Sequence, residues 1–277
     1  MIILPLLIFG FWILIPFFLE NPKYTILEKN KHFQIGTSGF MIGSKKWSTL
    51  DCLNCIEVNS SFYRIPNDKM INNLLKLDKN IVIKASKYIT HIKRLKDVKQ
   101  SWNLLWNQIK KLKYHLKCVL FQLPPSFIKN QVNIERIKTL KSYLPNNLKI
   151  AFEFRNKSWL NEDTYDLFKK LKWCIVGTFI IKTKNEEWVG DMPPGLYLPP
   201  RTTNFNYIRI HGKNRWKGEL SKKQLELIKT KLNNQNTKIS FVMFNNSFFD
   251  NKNKTCKINK IKIKSAAICN AAQFSNI

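Results

Sequence analysis

From residue 33 onward, short apolar runs alternate with stretches whose apolar residues recur at helical spacing. The runs at 33–38, 55–60, 80–86, 116–123, 149–155, 173–178, 205–212 and 238–246 are bounded mostly by Gly, Pro, Asn or Lys, and they predict strands. Between them, 45–54, 67–77, 98–116, 133–143, 162–171 and 221–232 predict helices. The clearest helical stripe is Trp102, Leu105, Trp106, Ile109 and Leu112, which marks a packing face. Asn67 or Asp68, and Asn161, are placed to cap the helices that follow them. The Pro-rich stretch 182–204 predicts a long loop, 247–264 a polar Lys-rich segment and 265–274 a final short helix. Strands alternating with helices imply parallel pairing with right-handed crossovers. Eight such units in about 245 residues predict an α/β fold of the (β/α)8 TIM-barrel type, with a doubly wound open sheet as the alternative.

Polar residues inside these runs change the picture. In Ile150-Ala-Phe-Glu-Phe-Arg155 a period of two puts Phe152 and Phe154 on one face and Glu153 and Arg155 on the other. A parallel strand covered on both faces reads as nearly all apolar, and burying two ions costs several kcal/mol each unless they are paired or wet. A structural ion pair would explain this strand alone. It does not explain the polar residues near the ends of the other runs: Thr37 and Ser38, Glu57 and Asn59, Lys84 and Ser86, Gln122, Thr178, Arg209 and His211, Asn245 and Asn246. A closed barrel brings all eight strand ends to one mouth, where barrel sites lie.

Residues 1–19 carry no charged side chain and are long enough to span a bilayer's hydrocarbon core. They predict a single-pass membrane anchor, followed by a polar linker at 20–32 and a domain over 33–277. The basic residues that follow place that domain in the cytosol, with a soluble cytoplasmic protein as the alternative. The net charge of +29 points to an anionic small molecule or nucleic acid as partner. Forty of the 47 basic residues are Lys, however, and they are spread along the chain, so part of that charge belongs to an ordinary solvated surface. The six cysteines show no framework spacing, Cys52-Leu-Asn-Cys55 is a lone pair rather than a zinc ribbon, and reduced thiols are expected.

Seven segments occur in order: Ile35-Gly-Thr-Ser-Gly-Phe40, Ile56-Glu-Val-Asn-Ser-Ser-Phe-Tyr-Arg64, Lys84-Ala-Ser-Lys-Tyr-Ile-Thr-His91, Leu120-Phe-Gln-Leu-Pro-Pro-Ser-Phe127, Phe152-Glu-Phe-Arg-Asn-Lys-Ser-Trp159, Tyr207-Ile-Arg-Ile-His-Gly212 and Phe244-Asn-Asn246. Together they resemble the YecE-like family (domain of unknown function 72) over about residues 33–275. Ala267-Ile-Cys-Asn-Ala271 looks like a degenerate form of that family's closing helix. The resemblance implies a TIM-type barrel and no settled activity; the likeness of such barrels to endonuclease-IV-type barrels is fold analogy. The chain departs from the family pattern at Thr178, where an acidic residue is usual, in a shortened segment after the first strand, and in its apolar amino terminus.

The chemistry of the predicted mouth favours an anionic ligand. Lys84, Arg155 and Arg209, with Arg64 and Arg94 from loops, are suited to clamp a phosphate or carboxylate. Tyr63, Tyr88, Trp159 and Trp216 are placed to stack a base or sugar, or else to pack their own loops. Thr37, Ser38, Asn59, His91, Gln122, Asn245 and Asn246 complete the predicted binding set. Glu57, Glu153 and His211 are the candidate acid–base groups of a hydrolase or lyase. No cofactor is expected. A single divalent metal on Glu57, Glu153 and His211, with His91 from a loop, would sit beside three cationic side chains, which oppose it. A binding protein that holds its anion without turnover is the alternative.

Overall fold

The computed structural model describes residues 32–181, 193–213 and 216–277. Their centre is a ten-stranded sheet, parallel except at one edge. Its strands are β1 (Phe33–Ser38), β2 (Cys55–Val58), β3 (Asn80–Lys84), β4 (Leu116–Gln122), β5 (Ile150–Glu153), β6 (Cys174–Ile175), β7 (Gly177–Ile180), β8 (Gly195–Tyr197), β9 (Phe205–His211) and β10 (Ile239–Phe244). In space they run β6-β5-β4-β3-β2-β1-β10-β9-β7-β8.

This corrects the expected (β/α)8 barrel. The run 173–178 is not one strand. It breaks at Val176, and its two pieces pair at opposite ends of the sheet: β6 with β5, β7 with β9. No helix separates them, and β8 then adds antiparallel to β7. The result is a curled, mostly parallel sheet rather than eight regular β/α units in a closed ladder. Gly177 permits the close approach of β8, because a Cβ there would lie 2.7 Å from a Leu198 methyl and 2.9 Å from the Tyr197 carbonyl oxygen.

The helices that cover the convex side are α1 (Ser44–Ser48), α2 (Asp68–Leu75), α3 (Lys99–Ile109), α4 (Gln131–Lys141), α5 (Glu162–Leu171), α6 (Lys222–Asn234) and α7 (Ala266–Asn276). Local sequence sets their starts. Asn67, Asn130, Asn161, Ser221 and Ser265 each accept a backbone N–H of the first turn, and Ser221 with Gln224 forms a full capping box. The helix expected over 45–54 is only the five residues of α1. The one expected over 98–116 ends at Ile109 and continues as a 3-10 turn, Lys110–His115. The Lys-rich stretch 247–264 holds a hairpin, β11 (Cys256–Ile258) and β12 (Ile261–Ile263). A disulfide joins Cys256 to Cys269, so the hairpin is tied to α7 and the expectation of wholly reduced thiols is corrected.

Two apolar layers follow from the period of two. The convex face packs Phe121, Phe152, Phe154 and Trp173 against the helices, with Phe152 edge-on to Phe168 of α5. The concave face holds Cys55, Val82, Cys118, Leu120, Ala151, Val176, Tyr207, Phe241 and Met243. Small residues and thiols there suit a tight curl. The anchor expected at 1–19 and most of the linker expected at 20–32 lie outside the described residues. Among the described residues no helix is long and apolar enough to cross a membrane.

Candidate functional site

The concave face changes character at the carboxy-terminal ends of its strands. Arg209 of β9 is 2% exposed and reaches across the curl. Its Nε and one terminal nitrogen donate to the two Glu57 carboxylate oxygens at 3.1 and 2.7 Å, and its other terminal nitrogen donates to Glu153 Oε2 at 2.7 Å. Glu57 lies on β2 and Glu153 on β5, neither of which neighbours β9 in the sheet. Only the curl brings them together. The Tyr207 hydroxyl donates to Glu57 Oε2 at 2.6 Å, and Arg155, just past β5, pairs with Glu153 Oε1. Ser38 Oγ accepts a longer bond from Arg209 at 3.4 Å.

The charges are strongly coupled. Burial alone would raise the Glu153 carboxyl, but Arg155 and then Arg209 overcome it and hold Glu153 well below the usual carboxylate range. Burial likewise works against the Arg209 charge, and Glu153 and Glu57 reverse that and raise its pKa. Burial, then the Glu57 charge, push the Tyr207 hydroxyl up, so it stays a donor. His211 is 2% exposed, and burial followed by Arg155 and Arg209 lowers its pKa well below the ordinary histidine value, so the ring is neutral.

Above this network opens a cavity of about 390 Å³. Lys84, Lys87, Arg155 and Arg209 line it, together with His91 and His211, while Glu57 and Glu153 do not. Gln122 takes a 2.7 Å bond from Lys84 Nζ, and the Phe62 ring centroid lies 4.4 Å from that nitrogen. Asn245 places its amide nitrogen 3.4 Å from His211 Nδ1. With that amide donating, the neutral ring carries its proton on Nε2. Among the described residues, His211 Nε2 and Asn59 Oδ1 are buried without a hydrogen-bond partner. Both residues line the cavity. Buried polar atoms are ordinarily satisfied, so each of these is open to a partner beyond the described residues, His211 Nε2 lying 4.0 Å from Glu153 Oε1.

The family model described as "Protein of unknown function DUF72" matches residues 49–258. The chain belongs to the DUF72 family. A crystal structure of a DUF72 family protein from Thermotoga maritima is 25% identical, covers 88% of this chain and 98% of its own, and superposes with a TM-score of 0.67. A DUF72 family protein from Enterococcus faecalis reaches a TM-score of 0.68 at 17% identity, over 88% of this chain and 97% of its own. That second likeness speaks of the fold alone. No curated protein matches the sequence.

In this DUF72 chain the predicted site residues divide. The network and cavity gather Ser38, Glu57, Asn59, Tyr63, Lys84, His91, Gln122, Glu153, Arg155, Arg209, His211 and Asn245, with the exposed Trp216 at the rim. Thr37 faces the helices instead, donating to the Gly39 carbonyl and accepting from the Trp47 indole at 2.9 Å. Asn246 is held by the Gly218 carbonyl and by Asn270 of α7. Trp159 is fully buried, stacked on Phe154 and Phe127 with its indole N–H on the Phe127 carbonyl, so it packs its own loop. Arg64 lines a neighbouring cavity, and Arg94 and Tyr88 are exposed outside the lining. Sequence reading missed Tyr207 as a partner of Glu57 and Lys87 as a lining cation. The in-phase Tyr207-x-Arg209-x-His211 pattern was the available signal for the first. Among the described residues no group of three or more His, Cys, Asp or Glu side chains is placed to hold a metal ion.

Proposed function

We propose that this cavity binds a small anionic molecule carrying a phosphate or carboxylate group, nucleic-acid-derived ligands included, and that the protein acts on it as a hydrolase or lyase. The sorting of charge carries this reading. Among the described residues four cationic side chains line the cavity, while both carboxylates of the network lie outside its lining and are engaged by guanidinium groups. Arg209 is preorganised by its two bonds to Glu57, which lowers the cost of fixing it around an anion, while Glu153 competes with such a ligand for Arg155 and Arg209. The neutral His211 offers its Nε2–H as a hydrogen-bond donor to an oxygen that gains charge during reaction, which favours turnover over simple capture. Binding without turnover is the second reading. It is favoured by the engagement of Glu57 and Glu153, which leaves neither carboxylate free to act as a base.

Calorimetry of the full chain with inorganic phosphate, nucleotides, phosphosugars and short oligonucleotides tests the anion site. Glu153→Gln removes one negative charge behind Arg155 and Arg209. It is expected to tighten phosphate binding about tenfold, since the same cations then answer to fewer anions. Weaker binding in that variant would contradict the assignment of these cations to the ligand. Product formation by the wild type from a bound phosphate ester that stops in His211→Phe would favour the enzyme; ligand held unchanged would favour the binding protein.

A further inference from the structure

Lys84 is set apart by its burial rather than by its partner type, since Lys110 and Lys141 also donate to neutral amide oxygens. Lys129, Lys138, Lys169 and Lys213 each pair with an Asp or Glu within 3.2 Å. Lys84, at the end of β3 and 9% exposed, donates instead to the neutral amide oxygen of Gln122. The charged groups around it are Arg209 from β9, Glu57 from β2, Glu153 and Arg155 from β5, and His91 from the turn after β3. Burial, then Arg209, lower its pKa to about 8 against the opposing pull of Glu57 and Glu153. At pH 7 roughly a tenth of this amine is therefore neutral, against well under a thousandth for an exposed lysine. A desolvated lysine beside another cation is an activated nucleophile toward carbonyl carbon.

We propose that Lys84 forms an imine with the carbonyl carbon of an anionic aldehyde or ketone whose carboxylate or phosphate is held by Arg155 and Arg209. This rests on the anion-site reading and names the substrate class within it. The Nζ lone pair attacks the carbonyl carbon as the C=O π bond breaks toward oxygen. A proton moves from nitrogen to that oxygen to give a carbinolamine. A second proton, drawn from solvent, lets the hydroxyl leave as water and leaves the protonated imine, with no change in oxidation state. His91 and His211 line the same cavity and are placed to carry these protons. The pKa of His91 is lowered to about 4, first by burial and then by Lys84, so it is neutral at pH 7.

The test treats the full-length protein at pH 7 with pyruvate, glyoxylate or glycolaldehyde phosphate and cyanoborohydride, and locates reduced adducts by peptide mass spectrometry. Lys84 is expected to be modified at least about tenfold faster than the mean exposed lysine, and inorganic phosphate is expected to slow that reaction. Lys84→Arg keeps the charge and should lose the adduct. Calorimetry with inorganic phosphate runs on the same preparation. Phosphate binding with no preference for Lys84 overturns the imine and leaves the anion site standing. Preferential labelling of Lys84 without phosphate binding or protection overturns the anion clamp, and with it the claim that charge selects the carbonyl compound. Neither signal overturns both.

Discussion

Arg209→Met is expected to lower the unfolding free energy of the protein by about 3–5 kcal/mol in urea titrations at pH 7, the range for breaking a buried ion pair by removing one partner. The side chain is 2% exposed and serves two carboxylates that are themselves fully buried. Without it Glu57 keeps only the Tyr207 hydroxyl among its described partners, and Glu153 keeps Arg155. Methionine fills part of the volume, so the loss is electrostatic rather than a cavity effect. Adding Glu57→Gln to Arg209→Met removes the stranded charge and is expected to restore about half of the loss, a coupling that a double-mutant cycle reads directly. A loss below about 1 kcal/mol would mean that Glu57 and Glu153 do not depend on Arg209.

Lys84→Met is expected to raise stability at pH 7 by about 1–3 kcal/mol, with the gain shrinking as pH approaches 10. The sign follows from the lowered pKa. Between about 8 in the folded state and the ordinary 10.5, the unfolded chain binds a proton that the folded chain does not. Stability therefore climbs with pH across that window and carries the full penalty of the buried ammonium below it. The upper figure is reduced by the lost bond to Gln122 and the lost contact with Phe62. Paired denaturation curves of wild type and variant from pH 7 to 10 cancel the other lysines and tyrosines that titrate there. A gap of constant size would show that Lys84 is not destabilised by its surroundings.

Much of the site was legible because a strand's period of two is rigid. Glu57, Lys84, Gln122, Glu153, Arg209 and His211 all fall on the phase that faces the concave side, and counting along each run finds them. What the sequence left open is set by pairing at a distance. Which carboxylate meets Arg209 depends on β2, β5 and β9 curling toward one another, and no local pattern encodes that contact. The split at Val176 is of the same kind. Trp173-Cys-Ile-Val-Gly-Thr178 reads as one strand, and only the rest of the sheet decides that its halves pair at opposite ends. Trp159 sits in a turn that begins at Asn156, whose side chain accepts the Ser158 N–H. The indole then turns inward onto Phe154 and Phe127, which are brought near by two different strands. The Cys256–Cys269 bond depends on the β11–β12 hairpin doubling the chain back onto α7, and nothing in the cysteine spacing announces it.

The central claim is that the cavity above the Glu57–Arg209–Glu153 network is built for an anion. Soaking crystals of the protein in tungstate, an electron-dense mimic of phosphate, tests it most directly. The predicted result is one strong tungsten peak within about 3–4 Å of the Lys84, Arg155 and Arg209 nitrogens, with further density at His211 Nε2, and its loss in Arg155→Met. Tungsten confined to surface lysines, with the cavity empty, would contradict the account.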